Sequence, residues 1–215
     1  GQTIAIVGPT GGGKTTIINL LTRFYDTNSG SITIDDKSIY DISKPSLRSC
    51  VGIVLQTTYL FKGTVLENIR YGKQDASLEE VIDAAKLAQV HDIIERLPNK
   101  YDTQVKAGGS NFSHGERQLL SIARTILYNP SILVLDEATS SVDTRTEINI
   151  QKSMKILMKG RTSFVIAHRL KTIKNADKIL VINDGQIIES GNHQQLLDIQ
   201  GMYHRMYTSQ FGIQK

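Results

Sequence analysis

The chain has 215 residues, 40% of them hydrophobic, with 25 Lys or Arg against 21 Asp or Glu and a formal net charge of +4. That is enough for one well-packed domain, and the mixed signs, without any run of like charge, argue for a solvated surface and against a nucleic-acid partner. No apolar run approaches the roughly 18 residues that cross a bilayer, and residues 1–7 carry no leader pattern. The single Cys50 allows neither an internal disulfide nor a cysteine-rich metal site; it reads as a small buried apolar residue in a chain suited to a reducing compartment.

In chain order, short apolar runs alternate with helical patterns. Ile4–Val7, Val51–Val54, Ile132–Leu135, Ser163–Ile166 and Ile179–Ile182 read as strands, and helical segments follow Gly13, Ser77, Ser113, Asp143, Arg169 and His193. The alternation predicts an α/β fold with a mostly parallel sheet, and the unbroken ILVL at 132–135 fits a strand buried on both faces. Residues 72–128 show helical segments and no convincing strand, which predicts a helical subdomain interrupting a core of 1–71 and 129–215. Asp184-Gly185 between two β-like runs is a hairpin signal. No repeat or linker divides the chain.

The first strand runs into GPTGGGKT, residues 8–15, which matches G-x-x-x-x-G-K-[ST] in the required strand-to-helix position. Gly8, Pro9, Thr10, Gly11, Gly12 and Gly13 supply a loop whose backbone N–H groups can curl around phosphate oxygens. Lys14 neutralises the β- and γ-phosphates, Thr15 can coordinate Mg²⁺ and Thr16 continues the helix whose positive end faces the anion. A nucleoside-triphosphate site needs an acidic partner for the metal. ILVLDE supplies Asp136 for Mg²⁺ and, one residue on, Glu137 to polarise an attacking water, both at the carboxyl end of a buried strand where α/β folds place ligands. NKYD at 99–102 matches a guanine-reading tetrapeptide, but it follows a helical pattern stopped by Pro98 instead of a buried strand, so it reads as a surface turn.

Residues 112–118, FSHGERQ, mark a second helix entrance. Ser113 and Glu116 fit the capping box S-x-x-E, and Leu119, Ile122, Ala123, Ile126 and Leu127 recur at helical spacing behind them. By itself this is a helix start and nothing more.

With the phosphate loop, FSHGERQ and LVLDE in this order and spacing, nearly the whole chain resembles the ATPase domain of ATP-binding cassette (ABC) transporters, of the exporter type. LQTTYLFKGTVLENI at 55–69 is similar to the exporters' Q-loop region with Gln56 as its glutamine; DEATSSVD at 136–143 resembles their Walker B and D-loop, ending in Asp143; and the stretch 166–197 is similar to their switch region, with His168 as the switch histidine. The resemblance implies a P-loop NTPase core, ATP and Mg²⁺ as ligands, Gln56 at the metal and attacking water, and His168 at the γ-phosphate. It further implies that two such domains meet head to tail. Ser113, Gly115 and Asp143 then complete a site on a second ABC ATPase domain, while a transmembrane domain, in the same full-length chain, is driven at the cytoplasmic face of the cell membrane. The adenine-stacking aromatic of the family falls upstream of Gly1, so the chain reads as a fragment lacking its first strands.

The match has departures. His114 and Glu116 stand where the usual LSGGQ signature has Gly and Gln, and TQVKAGG at 103–109 differs from the usual TEVGERG. A carboxylate facing ATP would be repelled, so Glu116 is expected to turn back as the capping-box acid. The partner can be a second copy or a different domain, and the departures favour a heterodimer in which this chain contributes the intact Walker half. Two rival readings share the P-loop. An ABC-type ATPase of DNA repair or chromosome structure would insert a long coiled coil, and no heptad run interrupts 16–112. A regulatory module without turnover would not need Glu137.

Overall fold

In the computed structural model, which describes residues 1–55, 57–136, 142–167 and 170–211, the apolar runs become a parallel sheet. The chain divides into two compact units: residues 1–51, 131–139 and 162–215 form the first, and residues 52–130 and 140–161 the second.

The first unit is built on five strands, β1 (Thr3–Val7), β2 (Ile132–Asp136), β3 (Thr162–Ile166), β4 (Lys178–Asn183) and β5 (Gln186–Gly191), in the order β5-β4-β1-β3-β2. All neighbours are parallel except β5 on β4, joined through Asp184 and Gly185 with φ of 49° and 75°. Two positive φ values in a two-residue turn suit the right-handed twist of a hairpin. Register is fixed by apolar residues in rows: Ala5 faces Val165 on one side and Ile179 on the other, and all three are fully buried. Ile132–Leu135 is buried at every position, as a strand covered on both faces should be. β5 ends the row, shifts register between Ile187 and Glu189, and leaves Ile187 and Ile188 exposed.

The second unit is helical. Its centre is the helix His114–Tyr128, with Leu119, Leu120, Ile122 and Ala123 buried. Helices Val65–Arg70, Leu78–Leu87 and Thr144–Met158 pack around it. Three of these helices start with complete capping boxes, Thr64 with Glu67, Ser77 with Glu80 and Ser113 with Glu116.

Several expectations are corrected. The stretch 72–128 does contain a strand, the two residues Gln104–Val105, which pair antiparallel with Gly63–Thr64. A segment this short has no periodicity to read. The helical unit also extends beyond 72–128, because Val65–Arg70 and Thr144–Met158 lay their apolar faces on the helix His114–Tyr128. Cys50 is exposed, not buried: it ends the helix Lys44–Ser49, in which Leu47 takes the core position. NKYD is a turn of 3₁₀ helix with Tyr101 buried and its hydroxyl 2.8 Å from His91 Nδ1, so only its polar residues face solvent.

Candidate nucleotide-binding site

β1 ends at Val7, and the next six residues turn the chain into the helix Lys14–Leu21. The turn is pressed against the β4–β5 hairpin. A Cβ on Gly8 would stand 2.0 Å from the carbonyl oxygen of Ile182, so no side chain can occupy that position while β4 stays where it is. Gly185 N donates to Gly12 O at 3.0 Å, and Gly12 N donates to Pro9 O at 3.1 Å. Gly13, the residue before the helix, has φ 102°, a left-handed conformation that costs glycine nothing and other residues a good deal.

A helix that starts on Gly13 starts bare. It has no side-chain cap and no acidic residue in its first turn. Its leading N–H groups and the positive end of its dipole are therefore offered outward, the arrangement that binds anions at helix starts. Lys14 Nζ sits over the loop, donating to Gly8 O at 2.9 Å and Pro9 O at 2.8 Å. Burial lowers the Lys14 pKa and the charge of Asp136 partly restores it, which places the ammonium and the carboxylate within electrostatic reach. Asp136 is half-buried at the end of β2, while Thr15 and Thr16 are exposed on the first turn of the helix. Among the described residues no group of three or more His, Cys, Asp or Glu gathers as a metal site. A divalent ion here would rest on Thr15, Asp136 and phosphate oxygens, which suits Mg²⁺, an ion that keeps few protein ligands.

A cavity of about 380 Å³ opens beside the loop, walled by Gly8, Pro9, Thr10, Lys14 and Ala167 and by Tyr203 and Tyr207 of the helix Met202–Phe211. The sequence gives that helix no motif, although Met202, Tyr203, Met206 and Tyr207 recur at helical spacing. It is anchored at its start by Glu189, whose carboxylate accepts from the Met202 and Tyr203 N–H groups, and along its side by His193, whose Nδ1 lies 2.7 Å from the Tyr203 hydroxyl. Burial pushes the Tyr203 hydroxyl well above its ordinary value, and lowers His193 with help from Lys174. The support that Ile182 and Gly185 give the loop is equally silent in the sequence; they lie some 170 residues away, and the hairpin signal at Asp184-Gly185 does not say what the hairpin packs against.

The residues around the second helix entrance belong to the other unit. Ser113 Oγ accepts from Glu116 N at 3.2 Å, and Glu116 Oε2 accepts from Ser113 N at 2.8 Å, so the carboxylate turns back on its own helix as expected. Gly115 is buried against the segment that carries Asp143: a Cβ there would stand 2.3 Å from Thr146 Cγ2 and 2.9 Å from Val142 Cγ1. Asp143 caps the helix Thr144–Met158, accepting from Thr146 N at 3.0 Å; the Thr146 hydroxyl and then its N–H hold the Asp143 carboxyl below its ordinary range. The structure thus gathers Gly8–Thr16 with Asp136 in one unit, and Ser113, Gly115 and Asp143 in the other. Gln56, Glu137 and His168 lie outside the described residues.

A family model described as ABC transporter matches residues 1–140. The chain is 54% identical over 211 residues to an uncharacterized ABC transporter ATP-binding protein of Bacillus subtilis, covering 98% of this chain and 35% of that protein. It is 54% identical over 206 residues to a fatty acid ABC transporter ATP-binding/permease protein of Mycobacterium bovis, covering 96% and 33%. Among solved structures, a bacterial Atm1-family ABC exporter with ATP bound superimposes with a TM-score of 0.91 at 46% identity, over all of this chain and 37% of that one. The chain spans about a third of the length of the curated relatives it matches.

Proposed function

The chain belongs to the ABC transporter family, and from that premise we propose that it is the ATP-hydrolysing domain that powers an exporter. The observation that carries this reading is the uncapped helix start behind Gly13, with Lys14 over the loop and Asp136 within its electrostatic reach. A helix that leaves its own first N–H groups without a side-chain cap, on a loop too tight for any Cβ at Gly8, is built around an external anion.

In the proposed site the backbone of Gly8–Gly13 cradles the phosphates, Lys14 balances the β/γ charge, and Thr16 closes the first turn. Thr15, Asp136 and Gln56 hold Mg²⁺, which supplies neutralisation of charge on the phosphate oxygens. Glu137 takes a proton from water as it attacks the γ-phosphorus, the bond to the ADP oxygen breaks, and His168 contacts the γ-phosphate. Ser113, Gly115 and Asp143 face the equivalent site of a second ABC ATPase domain. A heterodimer is favoured by His114 and Glu116, and the inward turn of Glu116 removes the carboxylate that would repel the partner's nucleotide.

The relatives named as ATP-binding/permease proteins support a transmembrane partner, joined in the same full-length chain and driven from the cytoplasmic face. Among the described residues no helix is long and apolar enough to cross a membrane. The helical unit offers that partner an aromatic shelf beyond Gln56 in the chain: Tyr59 and Tyr71 are exposed, Phe61 stacks on Tyr71 at 4.6 Å, and the Arg124 guanidinium lies over both Phe61 and Tyr71. The relatives named above are transporter proteins, which counts against the DNA-repair alternative.

The test is Glu137→Gln in the full-length protein. ATP binding is expected to persist while turnover falls by about 10²–10⁴-fold, the usual cost of a lost general base. Near-normal turnover would move the base elsewhere.

A further inference from the structure

The helical unit contains a second cavity, of about 470 Å³, for which nucleotide hydrolysis provides no role. Its wall carries three cationic side chains, Lys86 at the end of one helix, Arg96 after the helix His91–Glu95, and Arg145 in the first turn of Thr144–Met158, against one carboxylate, Asp92. The guanidinium groups of Arg96 and Arg145 make no hydrogen bond or ion pair with any described residue. Lys86 is paired with Asp83 at 3.3 Å, but both side chains are more than half exposed, so the pair is weak and easily exchanged. The ends of two successive helices and the start of a third, distant in sequence, thus line one concavity with excess positive charge.

Such a concavity concentrates anions, because low-dielectric walls focus the field of the charges that line it. Arginine is the side chain suited to phosphate, through two parallel N–H donors in a rigid fork. The volume falls within the range of small-molecule sites. The wall has no aromatic ring other than His91, whose Nδ1 is engaged with Tyr101, so it has little with which to stack on a base. The phosphates themselves are what the wall can recognise.

We propose that this cavity binds a small soluble molecule carrying two or more phosphate groups, at a site distinct from the P-loop. Its wall includes Thr146, the residue that abuts Gly115 and is capped by Asp143, so the occupant lies against the same helix start that supports the signature.

Equilibrium dialysis of radiolabelled inorganic tripolyphosphate against the full-length protein tests this. Both the P-loop and the cavity are expected to bind it, and the double variant Arg96→Gln/Arg145→Gln is expected to weaken one site per chain by about a hundredfold or more, roughly tenfold or more for each charged hydrogen bond lost. Lys86→Gln, on an exposed side chain, should weaken the same site by a smaller factor. Lys37→Gln, an exposed lysine of the other unit, should leave it unchanged. ATP binding measured on each variant reports the fold. Equal stoichiometry and affinity in wild type and double variant would overturn the proposal. So would an equal loss in Lys37→Gln, or capture of an acidic peptide without tripolyphosphate.

Discussion

The helix that begins at Lys14 and the helix that begins at His114 solve the same problem in opposite ways. Each must deal with N–H groups that have no partner in the first turn. The first follows a glycine at φ 102°, with no side chain to accept from it. The second follows Ser113, and serine and Glu116 satisfy each other's backbone N–H groups. Their glycines differ as well. Gly8 is required by the approach of the Ile182 carbonyl beneath a ligand loop, whereas Gly115 is required by the packing of Thr146 and Val142. On the proposed function, a phosphate loop is marked by what it leaves without a side-chain cap, and the signature helix, closed by its own capping box, would still serve a partner.

The largest expected effect on this contrast comes from Gly115→Ala. The added methyl meets Thr146 Cγ2 and Val142 Cγ1 below contact distance, and overpacking of this kind costs about 1–3 kcal/mol. Thermal unfolding without nucleotide is expected to shift down. An unchanged melting temperature would mean that Gly115 is needed only where ATP is bound.

Ser113→Ala should cost less, about 1 kcal/mol, the typical worth of a serine cap. Glu116→Gln should cost still less, because glutamine can also complete a capping box. Chemical denaturation of the three proteins orders them; a larger loss for Glu116→Gln than for Ser113→Ala would show that the Glu116 charge does more than cap.

The smallest effect concerns Asp143. Its carboxyl is held below its ordinary range by the Thr146 hydroxyl and N–H. A group with a depressed folded pKa contributes stability above its unfolded value, about 3.9, and loses that contribution as pH falls through the folded value. Asp143→Asn keeps a capping side chain and removes the titration, so wild type should be slightly the more stable at neutral pH and lose that margin in acid. A difference that persists unchanged into acid, or its absence at neutral pH, would separate the Asp143 charge from this cap.

How much of this was written in the sequence depended on range. The phosphate loop was legible because its demands fall on adjacent residues, as was the Ser113–Glu116 box, three residues wide. Asp136 was legible because ILVL announces a buried strand and the next residue must emerge from it. The hidden parts are those set by distant segments. Nothing near Gly8 reveals that Ile182 lies beneath it. Nothing near Gly115 reveals that Thr146 fills the space a Cβ would need. Cys50 looks like a core residue by type, yet one residue position on a short helix decides that Leu47 takes the core instead. The helix Met202–Phe211 carried a helical pattern but no motif, so its place beside the loop emerged only with the fold.

The central claim is that the Gly13 start binds this chain's own nucleotide and the Ser113 start does not. Calorimetric titration of ATP and AMP into the full-length Lys14→Ala and Ser113→Ala variants, in the resting state, tests it most directly. Lys14→Ala is expected to weaken ATP about tenfold or more and AMP far less, because the lost charge faces the β- and γ-phosphates. Ser113→Ala is expected to leave both affinities within about twofold, a change of less than about 1 kcal/mol. Equal weakening of ATP by the two variants, or equal loss of ATP and AMP in Lys14→Ala, would contradict it.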